Sequence, residues 1–258
     1  MPISPPHAST TAAKFRGQSD FQGDVLNRQR MTGPLSPDDF QKAKAELVPL
    51  RKFIDFVNRQ VGVYCDCLAS FSGNVVRIER QIPRLQRPFG RRIEQGRPVI
   101  VYASVEDPTS PDVIHHRIVR ADEFVSTNRE AGFNEQQLCW SIIVFMFAFW
   151  DEEIRPQIAR IREVKTSAVT LDELGDLRLL RHNIVHNGGV MAAADHAKLK
   201  VMVALCAPDR PISLTHDQMH QIFVFVKQAI GRLILQYTGQ LPGAPNAEDI
   251  VGVAIQNP

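Results

Sequence analysis

Hydrophobic positions recur at helical spacing over much of this 258-residue chain, and the first clear stretch begins near residue 36. Ser36-Pro37-Asp38-Asp39 predicts a helix start, because it combines an N-cap serine, a proline at the first helical position and two acids that suit the helix dipole. Pro49 is predicted to kink or divide this helix. Its apolar positions are Phe40, Leu47, Leu50, Phe53, Ile54, Val57 and Val61.

The most apolar segment runs from Leu138 to Trp150, inside a helix predicted over about 135–162. Its first half is apolar on all sides, so we expect it to be enclosed, whereas its second half turns amphipathic and is expected to bend at Pro156 and project from the core. A helix over the apolar run covers about 20 Å, short of the roughly 30 Å of a membrane core. No secretory signal is recognisable at the N-terminus, so we expect a cytoplasmic protein without a membrane partner.

Two capping-box patterns predict the remaining long helices. Thr170-Leu171-Asp172-Glu173 opens a helix that should run to about His186 and end at Asn187-Gly188-Gly189, residues that accept the left-handed conformation. Thr215-His216-Asp217-Gln218 opens a final helix to Thr238-Gly239. Between them, 200–206 and 211–214 are predicted to form a small β-hairpin.

The segment 72–110 is harder to assign, because prolines and glycines interrupt it. Residues 99–105 are predicted as a short strand, and Ser110-Pro111-Asp112 favours a helix over about 111–127, with a strand through 113–119 as the alternative. The pattern as a whole predicts a mainly all-α protein. We expect a flexible tail at 1–34, one helical domain at 35–239 with an arginine-rich insertion around 72–110, and a second flexible tail at 240–258.

Composition changes this picture little, since 44% hydrophobic and 22% charged residues are typical of globular proteins. A net charge of +2 does not indicate a nucleic-acid surface, so any basic footprint must be local. Such a local cluster exists between residues 77 and 97. Its arginines are Arg77, Arg80, Arg84, Arg87, Arg91, Arg92 and Arg97.

A helical wheel of residues 171–186 identifies the candidate chemistry. With Arg178 at zero and 100° per residue, the apolar positions span about 200° to 20°, and Arg181 lies near their middle at about 300°. A guanidinium there is costly unless a partner compensates it. The simpler interpretation is an arginine that extends to solvent or pairs with an acid such as Glu152.

His182 and His186 lie beside Arg181, one helical turn apart. His186 is predicted on the last turn, where the helix dipole favours an imidazolium. An arginine that binds phosphate and a histidine that moves protons suffice for phosphodiester cleavage when an RNA 2′-hydroxyl supplies the nucleophile. We therefore expect neither a metal nor another cofactor.

Arg181-His182-Asn183-Ile184-Val185-His186 resembles the R-x(4–6)-H motif of the HEPN superfamily (higher eukaryotes and prokaryotes nucleotide-binding). The resemblance covers about 20 residues, from Asp172 to Val190, and implies an up-and-down helical bundle that works as a homodimer. Many such proteins are metal-independent endoribonucleases, often toxins or phage-defence proteins. By position, Arg181 would orient the scissile phosphate, His186 would be the general acid/base and His182 would assist; Asn183 occupies a variable position.

This resemblance leaves several interpretations open. Further RNA contacts are expected from Arg178, Arg84, Arg87, Arg91 and Arg92, although the arginine cluster also suits a solvated, partner-facing surface. The alternative function is a non-catalytic interaction or sensing module that binds a protein partner or a nucleotide; an antitoxin or regulatory protein fits either function. A zinc site at His182 and His186, helped by His115-His116, is a third interpretation, but no Glu follows His182 and no third ligand is obvious.

Overall fold

A computed structural model describes residues 36–85, 93–94, 97–105 and 113–238, with side chains for 36–83 and 119–234. The predicted tails 1–34 and 240–258 lie outside the described residues. In chain order the helices and strands are α1 (Pro37–Leu85), β1 (Ile93–Glu94), β2 (Arg97–Val105), β3 (Val113–Arg120), α2 (Ala121–Asn128), α3 (Phe133–Ala148), a π-helical turn (Phe149–Ile154), α4 (Arg155–Arg162), a 3-10 turn (Thr166–Ala168), α5 (Asp172–His186), β4 (Val190–Met191), α6 (Ala193–His196), a 3-10 turn (Val203–Leu205), β5 (Arg210–Pro211) and α7 (His216–Thr238). The predicted all-α class with a small strand element is confirmed.

Helix α1 begins as its sequence predicts and is the longest element of the described residues. The Ser36 hydroxyl accepts a hydrogen bond from the Asp39 amide at 3.1 Å, which caps the helix. Pro49 lies inside the helix and does not divide it. The helix also continues through residues 72–85, which were assigned to the arginine-rich insertion.

The chain from α3 to the end of α4 runs antiparallel to α1, and side-chain pairs mark the register. The successive pairs are Lys42 with Glu163, Glu46 with Arg162, Lys52 with Glu153, and Tyr64 with Glu135. Between these elements lies the main core, to which Phe53, Trp150 and Ile158 contribute. The second half of the predicted 135–162 helix therefore packs on α1 and does not project from the core.

The π-helical turn Phe149–Ile154 interrupts the predicted 135–162 helix and begins seven residues before the bend expected at Pro156. Pro156 is the second residue of α4, which follows directly on the π-helical turn. The expectation that the first half is enclosed on every side is also wrong, because Phe145 is 61% exposed. A π-helical turn contains about one residue more than an α-helical turn, so the side chains after it point in a different direction. Such turns are frequent near functional sites.

The strand predicted at 99–105 is present in β2, but the helix chosen over 111–127 is wrong in its first half. Residues 113–120 form β3, antiparallel to β2, as the alternative interpretation had it. The backbone N–H and C=O groups of β3 pair with those of β2, and α2 begins only at Ala121. A second, smaller core joins α2 to the C-terminal part of α1; its buried members include Ile78, Val119, Phe124 and Val125.

Of the two predicted capping boxes, the second is confirmed and the first is wrong. Thr215 and Gln218 exchange hydrogen bonds, with the Gln218 amide donating to the Thr215 hydroxyl at 3.2 Å and the Thr215 amide donating to Gln218 Oε1 at 2.9 Å. In α5 the N-cap is Leu171 and no side chain caps it. Glu173, the expected second partner of that box, instead pairs with Arg232 of α7.

The two segments predicted to form a small hairpin, 200–206 and 211–214, do not pair with each other. β5 (Arg210–Pro211) shares only Pro211 with the predicted second strand at 211–214, and it pairs with β4, so that Val190 faces Pro211 and Met191 faces Arg210. Residues 203–205 form a 3-10 turn instead. No helix in the part of the chain that the structure describes is both long and apolar enough to cross a membrane.

Candidate functional site

Arg181 and His186 meet at the C-terminal end of α5, where the Arg181 Nη1 atom lies 3.2 Å from His186 Nε2. A guanidinium has donors only, so the imidazole must accept this hydrogen bond. His186 Nε2 therefore carries no proton in this arrangement. The partner of Arg181 is thus a histidine of its own motif and not Glu152.

His182 lies one turn before His186, with the two ring centroids 5.0 Å apart and the rings tilted by 44°. Both histidines are exposed, and Arg181 is half-buried. The three residues that the motif brings together in sequence are therefore also together in space, on a surface that a ligand can reach.

Arg181 and His182 line an open cleft of about 480 Å³, with His186 beyond its lining. Helix α5 also contributes Arg178 and Leu179. The facing wall comes from α3, the π-helical turn and α4, and the third side comes from the segment at and after α6. These other lining residues are Phe147, Asp151, Arg155, Asp195 and Lys198.

The cleft carries more positive than negative charge, because two of its cations have carboxylate partners and two do not. Arg155 donates to Asp151 Oδ1 at 2.8 Å and to the Val169 carbonyl at 2.9 Å. Lys198 pairs with Asp195 at 2.8 Å. Within the described residues, Arg178 and Arg181 have no carboxylate at ion-pair distance, so the cleft can accept an anion.

Asn183 organises the end of α5 from beneath the site. It is fully buried, and its Nδ2 donates to the Leu179 carbonyl at 2.8 Å and to Asp195 Oδ2 at 3.1 Å. Its Oδ1 accepts from the Ala192 amide at 2.9 Å and from Asn187 Nδ2 at 2.7 Å. One buried amide thus ties the motif helix to the two segments that follow it.

Asp195 is held as an anion at the edge of the cleft. Its pKa is lowered from the ordinary value, mainly by the hydrogen bond from Lys198, with further contributions from Asn183 and His182. Burial opposes this effect but does not reverse it. No pattern in the sequence points to Asp195, because α6 brings it to the site from outside the motif.

The glycines after α5 are required by the backbone, as the sequence predicts. Gly188 and Gly189 have φ values of +60° and +79°, which favour glycine. A Cβ on Gly189 would lie 2.3 Å from the Trp140 ring, whereas one on Gly188 would meet open space. Trp140 in turn donates to the Ile212 carbonyl at 2.9 Å, which fixes the helix end against α3 and the β4–β5 pair.

Asp176 anchors the segment that leads away from the site. It is buried, and its carboxylate accepts hydrogen bonds from the backbone amides of Lys200, Val201 and Met202 at 2.7–3.0 Å. Asp176 and Asn183 are therefore two buried polar side chains on a face of α5 that the helical wheel places outside the core.

The buried face of α5 is consequently rotated from the predicted one. Its buried residues span about 100° to 320° on the same wheel, because Asp176, Leu179 and Asn183 are buried while Val185 is 47% exposed. Arg181, at about 300°, lies near the edge of this face and not at its centre. Its half-exposed position explains how it reaches both His186 and the cleft.

The structure describes only some of the remaining residues that the sequence predicts to contact RNA. Of the predicted RNA-contacting arginines, Arg178 lines the cleft, and Arg84 lies on the last turn of α1, where its side chain is outside the described part. Arg87, Arg91 and Arg92 lie outside the described residues.

No group of three or more histidine, cysteine or acidic side chains among the described residues is arranged to hold a metal ion. A search of known proteins finds no matching family model, curated protein or solved structure.

Proposed function

We propose that this protein is a metal-independent endoribonuclease of the HEPN type that acts as a homodimer, in the role of a toxin or a phage-defence enzyme. The observation that carries the proposal is the hydrogen bond between Arg181 and His186 beside an open, cation-rich cleft. The motif resemblance supplies the reaction class, and the contacts of the site supply the roles that follow.

Arg181 binds the scissile phosphate. It has no carboxylate partner among the described residues, and its guanidinium offers paired donors to two phosphate oxygens. Arg178, one turn earlier on the same cleft wall, binds a neighbouring phosphate of the strand. When the substrate enters, Arg181 exchanges its bond with His186 for bonds to phosphate.

His186 is then free to act as a general acid/base, because its Nε2 lone pair is released in that exchange. The nucleophile is the 2′-hydroxyl of the RNA itself, which attacks the adjacent phosphorus. His182, whose ring lies 5.0 Å from that of His186, assists at the same phosphate. The products are a 2′,3′-cyclic phosphate and a 5′-hydroxyl end.

The homodimer is part of this proposal because apolar side chains are exposed on the helices that form the cleft. Phe145 of α3 is 61% exposed and Val185 of α5 is 47% exposed. Exposed aromatic residues beside a site are typical of interfaces. A second copy seated there would bring two motifs together, and the arginines at 84, 87, 91 and 92 are proposed to add backbone contacts to RNA.

RNA cleavage in the presence of EDTA tests the proposal. The purified protein should cut total RNA, and Arg181→Ala and His186→Ala should each reduce the rate at least about 100-fold. His216→Ala is the matched control, since His216 belongs to another histidine pair with the same spacing. Cleavage that survives both substitutions in α5 would refute the site.

A non-catalytic module that binds a nucleotide or a protein partner is the second candidate. Its specific support is the hydrogen bond from Arg181 to His186 Nε2, because that bond engages the atom that would have to accept a proton in catalysis. This candidate predicts that a short RNA or a nucleotide binds in the cleft with Arg178 and Arg181 but is never cut. A copurifying protein partner without RNA turnover would also favour it.

A further inference from the structure

The wall of the cleft that faces α5 carries a phenyl ring and a pair of opposite charges. Phe147, Asp151 and Arg155 line the cleft and are spaced four residues apart along α3, the π-helical turn and α4. Phe147 is half-buried and packs against the main core, so its ring is held in place. A cleft of about 480 Å³ is as large as many small-molecule sites. It therefore has room for a nucleobase beside the phosphate that Arg178 and Arg181 are proposed to bind.

Asp151 and Arg155 are fixed to the fold but keep polar atoms for a ligand. Arg155 Nη1 donates to Asp151 Oδ1 at 2.8 Å, and Arg155 Nε donates to the Val169 carbonyl at 2.9 Å. Within the described residues, Arg155 Nη2 and Asp151 Oδ2 have no hydrogen-bond partner. The Asp151 side chain is 39% exposed and that of Arg155 is 22% exposed. The pair thus offers N–H donors beside carboxylate acceptors to the cleft.

The pair of Glu46 and Arg162, which joins α1 to α4, is closed by comparison. Its two carboxylate oxygens accept from Arg162 Nε and Nη2, each at 2.7 Å, and Glu46 is buried. A ligand cannot reach such a carboxylate. Asp151 differs in both respects, because one of its oxygens is uncommitted and its side chain lines an open cleft.

The second carboxylate of the cleft, Asp195, is already used by the fold. Lys198 donates to its Oδ1 at 2.8 Å, and the buried Asn183 donates to its Oδ2 at 3.1 Å. Both of its oxygens are therefore engaged. Asp151, on the wall that also carries Phe147, is the carboxylate that has an oxygen left for a base.

Guanine is the RNA base whose polar edge complements the pair of Asp151 and Arg155. Its Watson–Crick edge presents an acceptor, O6, followed by two donors, the N1–H and the N2 amino group. Adenine and cytosine each present one donor group together with acceptors, and uracil presents one donor between two acceptors. Two neighbouring N–H groups can bind one carboxylate in the bidentate way that a guanidinium does, while an arginine N–H reaches O6.

We propose that the cleft holds a guanine subsite, in which Phe147 stacks on the base, Asp151 accepts from N1–H and the N2 amino group, and Arg155 donates to O6. This inference rests on the proposed RNA cleavage and names its sequence preference, a guanine next to the phosphate that Arg178 and Arg181 bind. Stacking on an aromatic ring accepts every base, so the choice of guanine falls to Asp151.

Binding of nucleoside 3′,5′-bisphosphates tests the subsite without depending on cleavage. These ligands carry a phosphate on either side of the sugar and have no phosphodiester bond to cut. Calorimetry compares guanosine, inosine and adenosine bisphosphates; inosine differs from guanosine only in lacking the N2 amino group. Guanosine bisphosphate should bind at least about tenfold more tightly than adenosine bisphosphate and at least about threefold more tightly than inosine bisphosphate.

Variants of the wall assign this preference to its residues. Asp151→Asn should bring guanosine and adenosine bisphosphates to within about threefold of each other, because one acceptor oxygen becomes an N–H donor that faces the donors of guanine. Phe147→Leu should weaken all three ligands about tenfold and keep their order. Glu152→Gln is the matched control, since it removes the same charge from an adjacent, exposed residue that does not line the cleft, and should change neither affinity nor order. Thermal melts show that each variant is folded, and the inosine comparison on the wild-type protein needs no variant.

Equal binding of the three ligands, binding of none, or a guanine preference that survives Asp151→Asn would overturn the subsite. RNA cleavage in EDTA is followed separately, and the cuts should fall next to guanosines. Cuts without any base preference would overturn the subsite and leave the proposed ribonuclease standing. A guanine preference in binding without any cutting would support the subsite and refute the proposed cleavage.

Discussion

Two pairs of histidines in this protein have the same spacing along a helix and entirely different surroundings. His182 and His186 end α5, and His216 and His220 begin α7. Their ring centroids are similarly close, at 5.0 Å in the first pair and 4.6 Å in the second. The first pair borders an open cleft whose Arg178 and Arg181 have no carboxylate partner among the described residues, whereas the second pair lies against a buried polar cluster.

The polar groups of the buried cluster beside His216 and His220 have hydrogen-bond partners within the fold. The Tyr64 hydroxyl donates to Glu135 at 3.2 Å and contacts His216 Nδ1 at 3.3 Å, and the Tyr64 and His216 rings stack. Burial raises the pKa of the Tyr64 hydroxyl above its ordinary range and that of the Cys139 thiol to about 12, with Glu135 contributing to both. These groups stay protonated at neutral pH and hold helices together.

The comparison shows that the spacing of residues along a helix predicts which side chains are neighbours, but not what those side chains do. Polar groups whose hydrogen bonds are satisfied inside the fold contribute to stability, while cations without a partner at an open surface are available to a ligand. By this criterion, α5 carries the candidate site and α7 carries a structural cluster. Four predictions test the distinction, from the largest expected effect to the smallest.

Replacing each histidine pair by alanines should separate activity from stability. His182→Ala with His186→Ala should reduce RNA cleavage at least about 100-fold with little change in the free energy of unfolding, because both side chains are exposed. His216→Ala with His220→Ala should do the reverse and leave cleavage intact. Cleavage rates and denaturant melts of both double variants are the measurements; equal loss of activity in both would contradict the comparison.

Gly189→Ala should destabilise the fold by about 2–4 kcal/mol, because the new Cβ meets the Trp140 ring and the backbone has a positive φ. Gly188→Ala is the matched control, with a positive φ but open space around its Cβ, and should cost only about 1 kcal/mol. Urea unfolding measures both. Equal destabilisation would mean that the packing against Trp140 does not matter.

Asn183→Leu should lower the free energy of unfolding by about 2–3 kcal/mol, because it removes a buried amide and leaves the Ala192 amide without its acceptor. Asn187→Ala, which removes an exposed side chain with one hydrogen bond to Asn183, should cost about 1 kcal/mol or less. Thermal or urea melts compare the two variants. If Asn183→Leu is as stable as the wild-type protein, Asn183 does not organise the helix end.

The smallest effect concerns pH. Burial lowers the pKa of His220, helped by the neighbouring His216 and opposed by Asp217. The unfolded chain therefore binds more protons than the folded one as pH falls below the ordinary histidine pKa of about 6.5, so stability is lost through that range. Urea unfolding at pH 7.5 and 5.5 should show a smaller loss for His220→Gln than for the wild-type protein; an unchanged loss would assign the pH dependence elsewhere.

Local signals in the sequence predicted those parts of the fold that local contacts decide. Ser36 caps α1, Thr215 and Gln218 form their box, and the two glycines end α5, each through contacts within a few residues. The Thr170 box failed because Glu173 pairs with Arg232, 59 residues away, and long-range contacts of this kind leave no local pattern.

The candidate site was predictable only in part for the same reason. The motif placed Arg181, His182 and His186 together, but hydrophobicity could not reveal that Asn183 and Asp176 are buried, so the predicted face of α5 was rotated. Asp195 and Arg155 reach the cleft from other elements. Their roles depend on tertiary packing, which a helical wheel of one helix does not contain.

The most direct test of the central claim is a comparison of two RNA oligonucleotides in EDTA. One is an all-RNA strand, and the other is identical except for a 2′-deoxynucleotide on the 5′ side of the bond at which the first is expected to be cut. If α5 carries a ribonuclease site that uses the RNA's own nucleophile, the first is cut to a 2′,3′-cyclic phosphate and the second stays intact. Cutting of the deoxy-substituted strand at the same bond, or no cutting of either strand, would contradict the account.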